Sequence, residues 1–163
     1  MTMRDTVTEK IKSKAKELGF DAVGIAEAQP LTDPIARYKE WIADGKHGMM
    51  SYLERNVEKR EDVSLIVPGA RSVIVVARNY YTDHQHDSSV GKISRYAWGD
   101  DYHDVIPPML DELCSWCKEL LPDCETRRYV DTGPVMEKEW AVRAGIGWQG
   151  KHSNILRDRK SVV

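Results

Sequence analysis

"VPGARSVIVVARNYY" (residues 67–81) carries the clearest structural signal in the chain. A Pro-Gly turn leads into Ser72–Ala77, a β-branched run without polar alternation. Such a run reads as a strand covered on both faces, placed centrally in a sheet. Working outward, "DAVGIAEA" (21–28) reads as a second short strand. Before it, residues 5–18 set Val7, Ile11, Ala15 and Leu18 on one helical face, with Gly19 as the stop. "LTDPIARYKEWIADG" (31–45) predicts a helix capped by Thr32 or Asp33, with Pro34 in its first turn and Gly45 at its end. "HGMMSYLERN" (47–56) holds another helical turn or two, and residues 82–92 read as loop.

Further on, a long helix is expected over 104–121, with Pro107 and Pro108 confined to its opening turn. A short strand at 128–130, a helix over 136–144 and a glycine-rich stretch at 145–154 follow. The crossovers are too irregular for a parallel doubly wound sheet, so the expected architecture is α+β, a mixed sheet flanked by helices. Residues 1–156 read as one domain. The charged run at 157–163 fits nothing before it and reads as a non-native tail.

Composition narrows the classes. The 163 residues are 41% hydrophobic and 31% charged, with a net charge of −2, which suits one ordinary globular core. Near-neutral charge gives no electrostatic case for nucleic acid. No apolar run is long enough to span a membrane, and the polar N-terminus does not resemble a signal peptide, so a cytoplasmic location is expected. Three cysteines, Cys114, Cys117 and Cys124, do not make a disulfide framework. The first two have CxxC spacing, but Ile106, Met109, Leu113, Cys117 and Leu120 share a helical stripe on which cysteine acts as a small apolar residue. No second ligand pair stands at zinc spacing.

Four polar clusters lie beside element ends: residues 56–62, 94–104, 130–140 and 147–154. Asp100, Asp101, His103 and Asp104 do not form a compact ligand set, because neighbouring residues on an extended segment diverge. Capping by Asp101 or Asp104 explains them as well. "RYVDTGPVMEKEW" (128–140) poses a sharper question: it sets a carboxylate, Asp131, ahead of a Gly-Pro turn that needs no carboxylate to form. Asp131 is either a turn residue bonded to its own backbone or a group placed for chemistry.

Taken together, "GFDAVGIAEA", "YLERNVEKRED", "LIVPGARSVIVVARNYY", "ISRYAWGDDYHDVI" and "YVDTGPVMEKEWAVRAGIGWQGKHSNIL", in this order, resemble the N-terminal domain of epoxyqueuosine reductase. The resemblance runs from about Lys10 to Leu156. It implies a nitroreductase-like fold that cradles cobalamin, and reduction of epoxyqueuosine to queuosine at the tRNA wobble position. It also implies two 4Fe-4S clusters held by a ferredoxin-like region, and helical repeats that grip tRNA. Both of those regions are absent here, and the three cysteines lack the ligand spacing to replace the clusters.

By the same resemblance Asp131 is the catalytic proton donor. Arg60, Ser94, Arg95, Arg143, Lys151, His152, Ser153 and Asn154 are cofactor contacts, and Tyr102 is a substrate contact. No protein side chain is implied as a metal ligand, His152 included. An aspartate that works as an acid needs a raised pKa, which burial beneath a corrin would supply. The chain alone is expected to be a monomer without turnover, dependent on an outside reductant. A stand-alone corrinoid carrier or chaperone, or a flavin-binding module, are the alternatives.

Overall fold

The computed structural model describes residues 3–87 and 89–157, so the tail expected at 157–163 lies almost wholly outside them. Among the described residues five helices occur: α1 (Met3–Glu17), α2 (Thr32–Ala43), α3 (Val57–Glu61), α4 (Tyr102–Leu120) and α5 (Glu137–Arg143). Four strands accompany them: β1 (Ala22–Glu27), β2 (Ser72–Ala77), β3 (Trp148–Gln149) and β4 (Ile155–Leu156). Short 3-10 turns fall at Ser51–Glu54, Val63–Leu65 and Arg95–Ala97.

β2 organises the core. It pairs antiparallel with β1 from Ala22↔Ala77 to Glu27↔Ser72. Ile74 and Val76 pack against Ile11, Ala15, Phe20, Leu113 and Cys117, under α1 and α4. On the opposite face Val73 and Val75 meet Leu31, Val63 and Trp140. Val75 and Ala77 also reach Ala141, Ile146 and Ile155. Period-two alternation therefore sends successive β2 residues to different hydrophobic clusters, so an unbroken apolar run is required. Gly24 of β1 shows how closely α5 approaches: a Cβ there would lie 2.3 Å from the Ala144 carbonyl oxygen.

Several expectations need correction. β2 is covered on both faces but is not central, since among the described residues its only partner is β1. The sheets are two antiparallel pairs, β1–β2 and β3–β4, in place of one mixed sheet. Residues 128–130 form no ladder. Arg128 instead bonds Asp111 on α4 through two guanidinium nitrogens, so side chains hold this segment where a strand edge was expected.

α4 starts at Tyr102, earlier than expected, because Asp101 caps it by accepting from the His103 N–H at 2.9 Å. Pro107 and Pro108 consequently sit beyond the opening turn. At α2 neither Thr32 nor Asp33 caps. The boundary residue is Leu31, only 1% exposed, whose N–H donates to the Glu61 carbonyl at 2.9 Å. Burial of a leucine, which cap-residue reasoning does not weigh, sets that start. The cysteine stripe is as expected: Leu113 and Cys117 are buried, and burial pushes the Cys117 thiol up to about 11.

Candidate active site

The connection between α4 and α5 makes a tight turn at Asp131, and three elements fix it. Asp131 has φ 55, a left-handed conformation that aspartate tolerates better than most residues. The Thr132 N–H donates to the Val130 carbonyl across it at 2.6 Å, a one-residue turn. Next, Gly133 lets the chain fold against Tyr129, where a Cβ would stand 2.0 Å from a ring carbon. The glycine therefore serves the Tyr129 ring, and the aspartate is left free to point elsewhere.

It points to Tyr102, the first residue of α4, whose hydroxyl donates to Asp131 Oδ2 at 2.5 Å. The Asp131 N–H donates in turn to Glu137 Oε1, on the first residue of α5, at 2.8 Å. The bond to Asp131 holds the Tyr102 phenol in its neutral form, pushing it up to about 12. Burial raises the Glu137 carboxyl, the Asp131 N–H opposes that, and the neighbouring Asp131 charge adds to it. Asp131 itself is exposed, so the described residues do not supply the burial expected for it.

Beside this carboxyl runs a chain of rings. Tyr102 lies 6.2 Å from Tyr96, and Tyr96 lies 6.4 Å from Tyr80, both in edge contacts. Arg95 stacks over Tyr81 at 5.0 Å and over Trp98 at 5.7 Å. His86 and His84 rest against the Trp98 ring. Tyr81 is 67% exposed and Tyr96 54%, so an aromatic rim faces outward next to Asp131. Tyr80, Tyr96 and Tyr102 are in ring contact, and Arg95 links Tyr81 and Trp98 beside them.

The other expected residues are dispersed. Ser94 opens the 3-10 turn at 95–97 and makes no side-chain cap bond. Arg60 sits 5.6 Å over the Tyr38 ring, and its buried Nε has no hydrogen-bond partner among the described residues. Arg143 donates to the carbonyls of Gln29 and Pro30 and stacks on Trp140, which ties α5 to the β1–α2 connection. Lys151, His152, Ser153 and Asn154 form the exposed turn between β3 and β4, with Ser153 at φ 69 and the Asn154 N–H donating to His152 Nδ1 at 3.2 Å. Tyr102, Asp131 and, through rings, the Ser94–Arg95 segment come together. Among the described residues no hydrogen bond or ion pair joins Arg60, Arg143 or the 151–154 turn to them.

Two surface hollows, of about 330 and 520 Å³, are lined respectively by residues of α1 with Trp116 and by residues such as Asp111, Lys118 and Arg127. Neither includes any expected site residue. Sequence reasoning passed over Glu137 and the rings of Tyr80, Tyr81 and Tyr96. An acid on the first helical residue after the Asp131 turn was the available signal for Glu137.

Residues 60–132 match the family model described as epoxyqueuosine reductase QueG, DUF1730. The epoxyqueuosine reductase of Atelocyanobacterium thalassa is 40% identical over 155 residues, a match covering 93% of this chain and 50% of that protein. The chain is similar to the epoxyqueuosine reductases. It spans about half the length of the curated relatives it matches. Solved epoxyqueuosine reductases share its fold. One, crystallised with a tRNA-Tyr epoxyqueuosine-modified stem loop, gives a TM-score of 0.81 at 30% identity over 92% of this chain and 41% of that one. Another, from Bacillus subtilis with its catalytic aspartate loop swung out of the active site, gives 0.77 at 26% identity, covering 92% and 41%.

Proposed function

We propose that this chain is the cobalamin-binding part of an epoxyqueuosine reductase, with Asp131 as the acid that protonates the opening epoxide. On this reading the parent enzyme converts epoxyqueuosine to queuosine at the tRNA wobble position, in the cytoplasm, within a nitroreductase-like fold. The observation that carries it is the Tyr102–Asp131 pair at 2.5 Å, standing at the edge of an exposed aromatic rim.

Reduction of an epoxide to an alkene takes two electrons and two protons and releases the oxygen as water. Breaking the first C–O bond places negative charge on oxygen, which a positioned acid relieves in the transition state. Tyr102 occupies Oδ2 of Asp131 and orients the carboxyl, so a proton for delivery belongs on Oδ1. This makes Tyr102 a residue that aims the acid, in addition to the substrate contact expected of it. Exposure of Asp131 in the chain alone fits a site closed by what docks on it, since a bound macrocycle would supply the apolar cover that raises a carboxyl's pKa. The Bacillus subtilis relative supports a turn able to move, and residues 130–134 are its counterpart here on this reading.

The residues present fit a large flat cofactor in specific ways. Arg60 offers a buried Nε that lacks a partner among the described residues. Arg95 and its rings offer a planar face, and the 151–154 turn offers exposed polar groups. Arg60, Ser94, Arg95, Lys151, His152, Ser153 and Asn154 would hold the corrin and its side groups. Arg143, committed to two carbonyls, would support the cradle from behind. Cobalamin when bound supplies the low-valent metal electrons that no side chain provides. The parent's 4Fe-4S clusters and an outside donor would deliver electrons, and tRNA would be gripped mainly by regions outside this chain.

In the full-length parent, Asp131→Asn should lower turnover of epoxyqueuosine-tRNA by about 10²–10⁴-fold, and a change under about twofold would overturn the assignment. The 163-residue monomer with a chemical reductant should show no turnover. Measurable queuosine formation by it would defeat that part of the reading.

A further inference from the structure

We propose that Glu137 is a positioning residue: its carboxyl, carried on the fixed start of α5, grips the Asp131 N–H and so sets where the aspartate stands. This deepens the reading above and rests on it only in treating Asp131 as the reactive carboxyl. Asp131 has two tethers from two different helices. Tyr102 of α4 holds the side chain, and Glu137 of α5 holds the main chain, at 2.5 and 2.8 Å.

The main-chain tether is needed because of the backbone it holds. A non-glycine residue at φ 55, closed by a one-residue turn, occupies a conformation that persists only when its surroundings impose it. Tyr102 holds only the carboxyl, so its bond constrains the backbone torsions less directly than the Glu137 bond to the main chain, which adds to the Thr132–Val130 closure.

Glu137 is well anchored for the task. Trp140, 1% exposed, and Ala141 pin α5 to the core, while Glu139 reaches Arg37 at 3.6 Å. The Glu137 side chain is only partly exposed. A turn that moved away would leave its carboxyl short of a donor where water is scarce, which disfavours the moved position. The core therefore dictates the acid's position through one carboxyl, although the acid itself stands at the surface.

The test compares the intact chain with Glu137→Ala, Glu137→Met and Glu137→Gln. Hydrogen exchange is followed at the Asp131 and Thr132 amides, together with the Tyr102 hydroxyl titration from ring-labelled tyrosine NMR. In Glu137→Ala the two amides should exchange about tenfold faster, the loss of one ordinary hydrogen bond, and Tyr102 should titrate nearer 10.0 than about 12. Glu137→Gln keeps a carbonyl acceptor and should restore both readings.

Exchange in the Ala22–Glu27 ladder reports whether the fold survives. Should the alanine variant loosen that ladder, Glu137→Met decides, because it keeps the stem and loses only the acceptor. Wild-type protection at 131–132 in the methionine variant overturns the proposal. That result would leave the Asp131→Asn test of the reaction untouched, and the reverse failure would leave this tether standing.

Discussion

α5 has a middle and a start with different duties. Its middle carries Trp140 and Ala141 into the clusters beneath β2, whereas its first residue, Glu137, reaches out to the exposed turn at Asp131. The buried middle is held by apolar area and close packing, with Gly24 admitting the backbone of the residue just past the helix. The exposed start is held by single hydrogen bonds around a left-handed residue. The two designs meet different needs. Packing fixes a position firmly but fills the space, while a few directed bonds fix a carboxyl and leave one side open to a ligand.

The largest stability loss is expected at the buried middle. Trp140→Ala should cost about 3–5 kcal/mol in denaturant unfolding, from lost transfer energy and the cavity left behind. A loss below about 1 kcal/mol would mean that the site collapses freely and is no rigid anchor. Arg143 stands between the two designs. The residue is exposed, yet its guanidinium bonds two carbonyls of the β1–α2 connection and stacks on the Trp140 ring. Arg143→Ala should cost about 1 kcal/mol by the same assay in the absence of any cofactor. Unchanged stability, with weakened cobalamin binding in an optical titration, would restore the direct cofactor contact first expected of this residue.

The sequence showed the buried design better than the exposed one, for a physical reason. Apolar periodicity reports which residues leave water, so β1, β2, α1, the cysteine stripe of α4 and the span of α5 were all legible. It does not report pairing, so the two-stranded sheets and the absence of a ladder at 128–130 were not. The Arg128–Asp111 fork that replaces that ladder joins residues distant in sequence and leaves no local pattern. At the candidate site, Asp131 stood out through its turn and its family resemblance. Glu137, whose place just after that turn was its one local signal, and the ring chain from Tyr80 to Tyr102 did not, because their partners meet only where α4, α5 and the 78–98 segment converge. Leu31 is a smaller case of the same kind, a helix start set by a tertiary contact with α3.

The smallest expected effect probes the exposed design alone. Tyr102 has its folded pKa raised from 10.0 to about 12, chiefly by donating to Asp131. A group raised in the folded state contributes stability that is fully present below its unfolded value and is lost as pH climbs through the folded one. The Tyr102–Asp131 bond should therefore favour the folded chain up to about pH 10 and stop doing so between 10 and 12. Burial raises Tyr38 as well, so the wild-type curve alone does not isolate Tyr102. Subtracting the pH-dependence of unfolding for Tyr102→Phe from that of wild type does, because Tyr38 contributes equally to both. The difference should fall toward zero across that alkaline window, and Asp131→Asn should abolish much of it by removing the charged acceptor. A difference that stays flat from neutral pH to 12 would show that the hydroxyl and carboxyl do not engage in solution, leaving Asp131 aimed by its backbone alone.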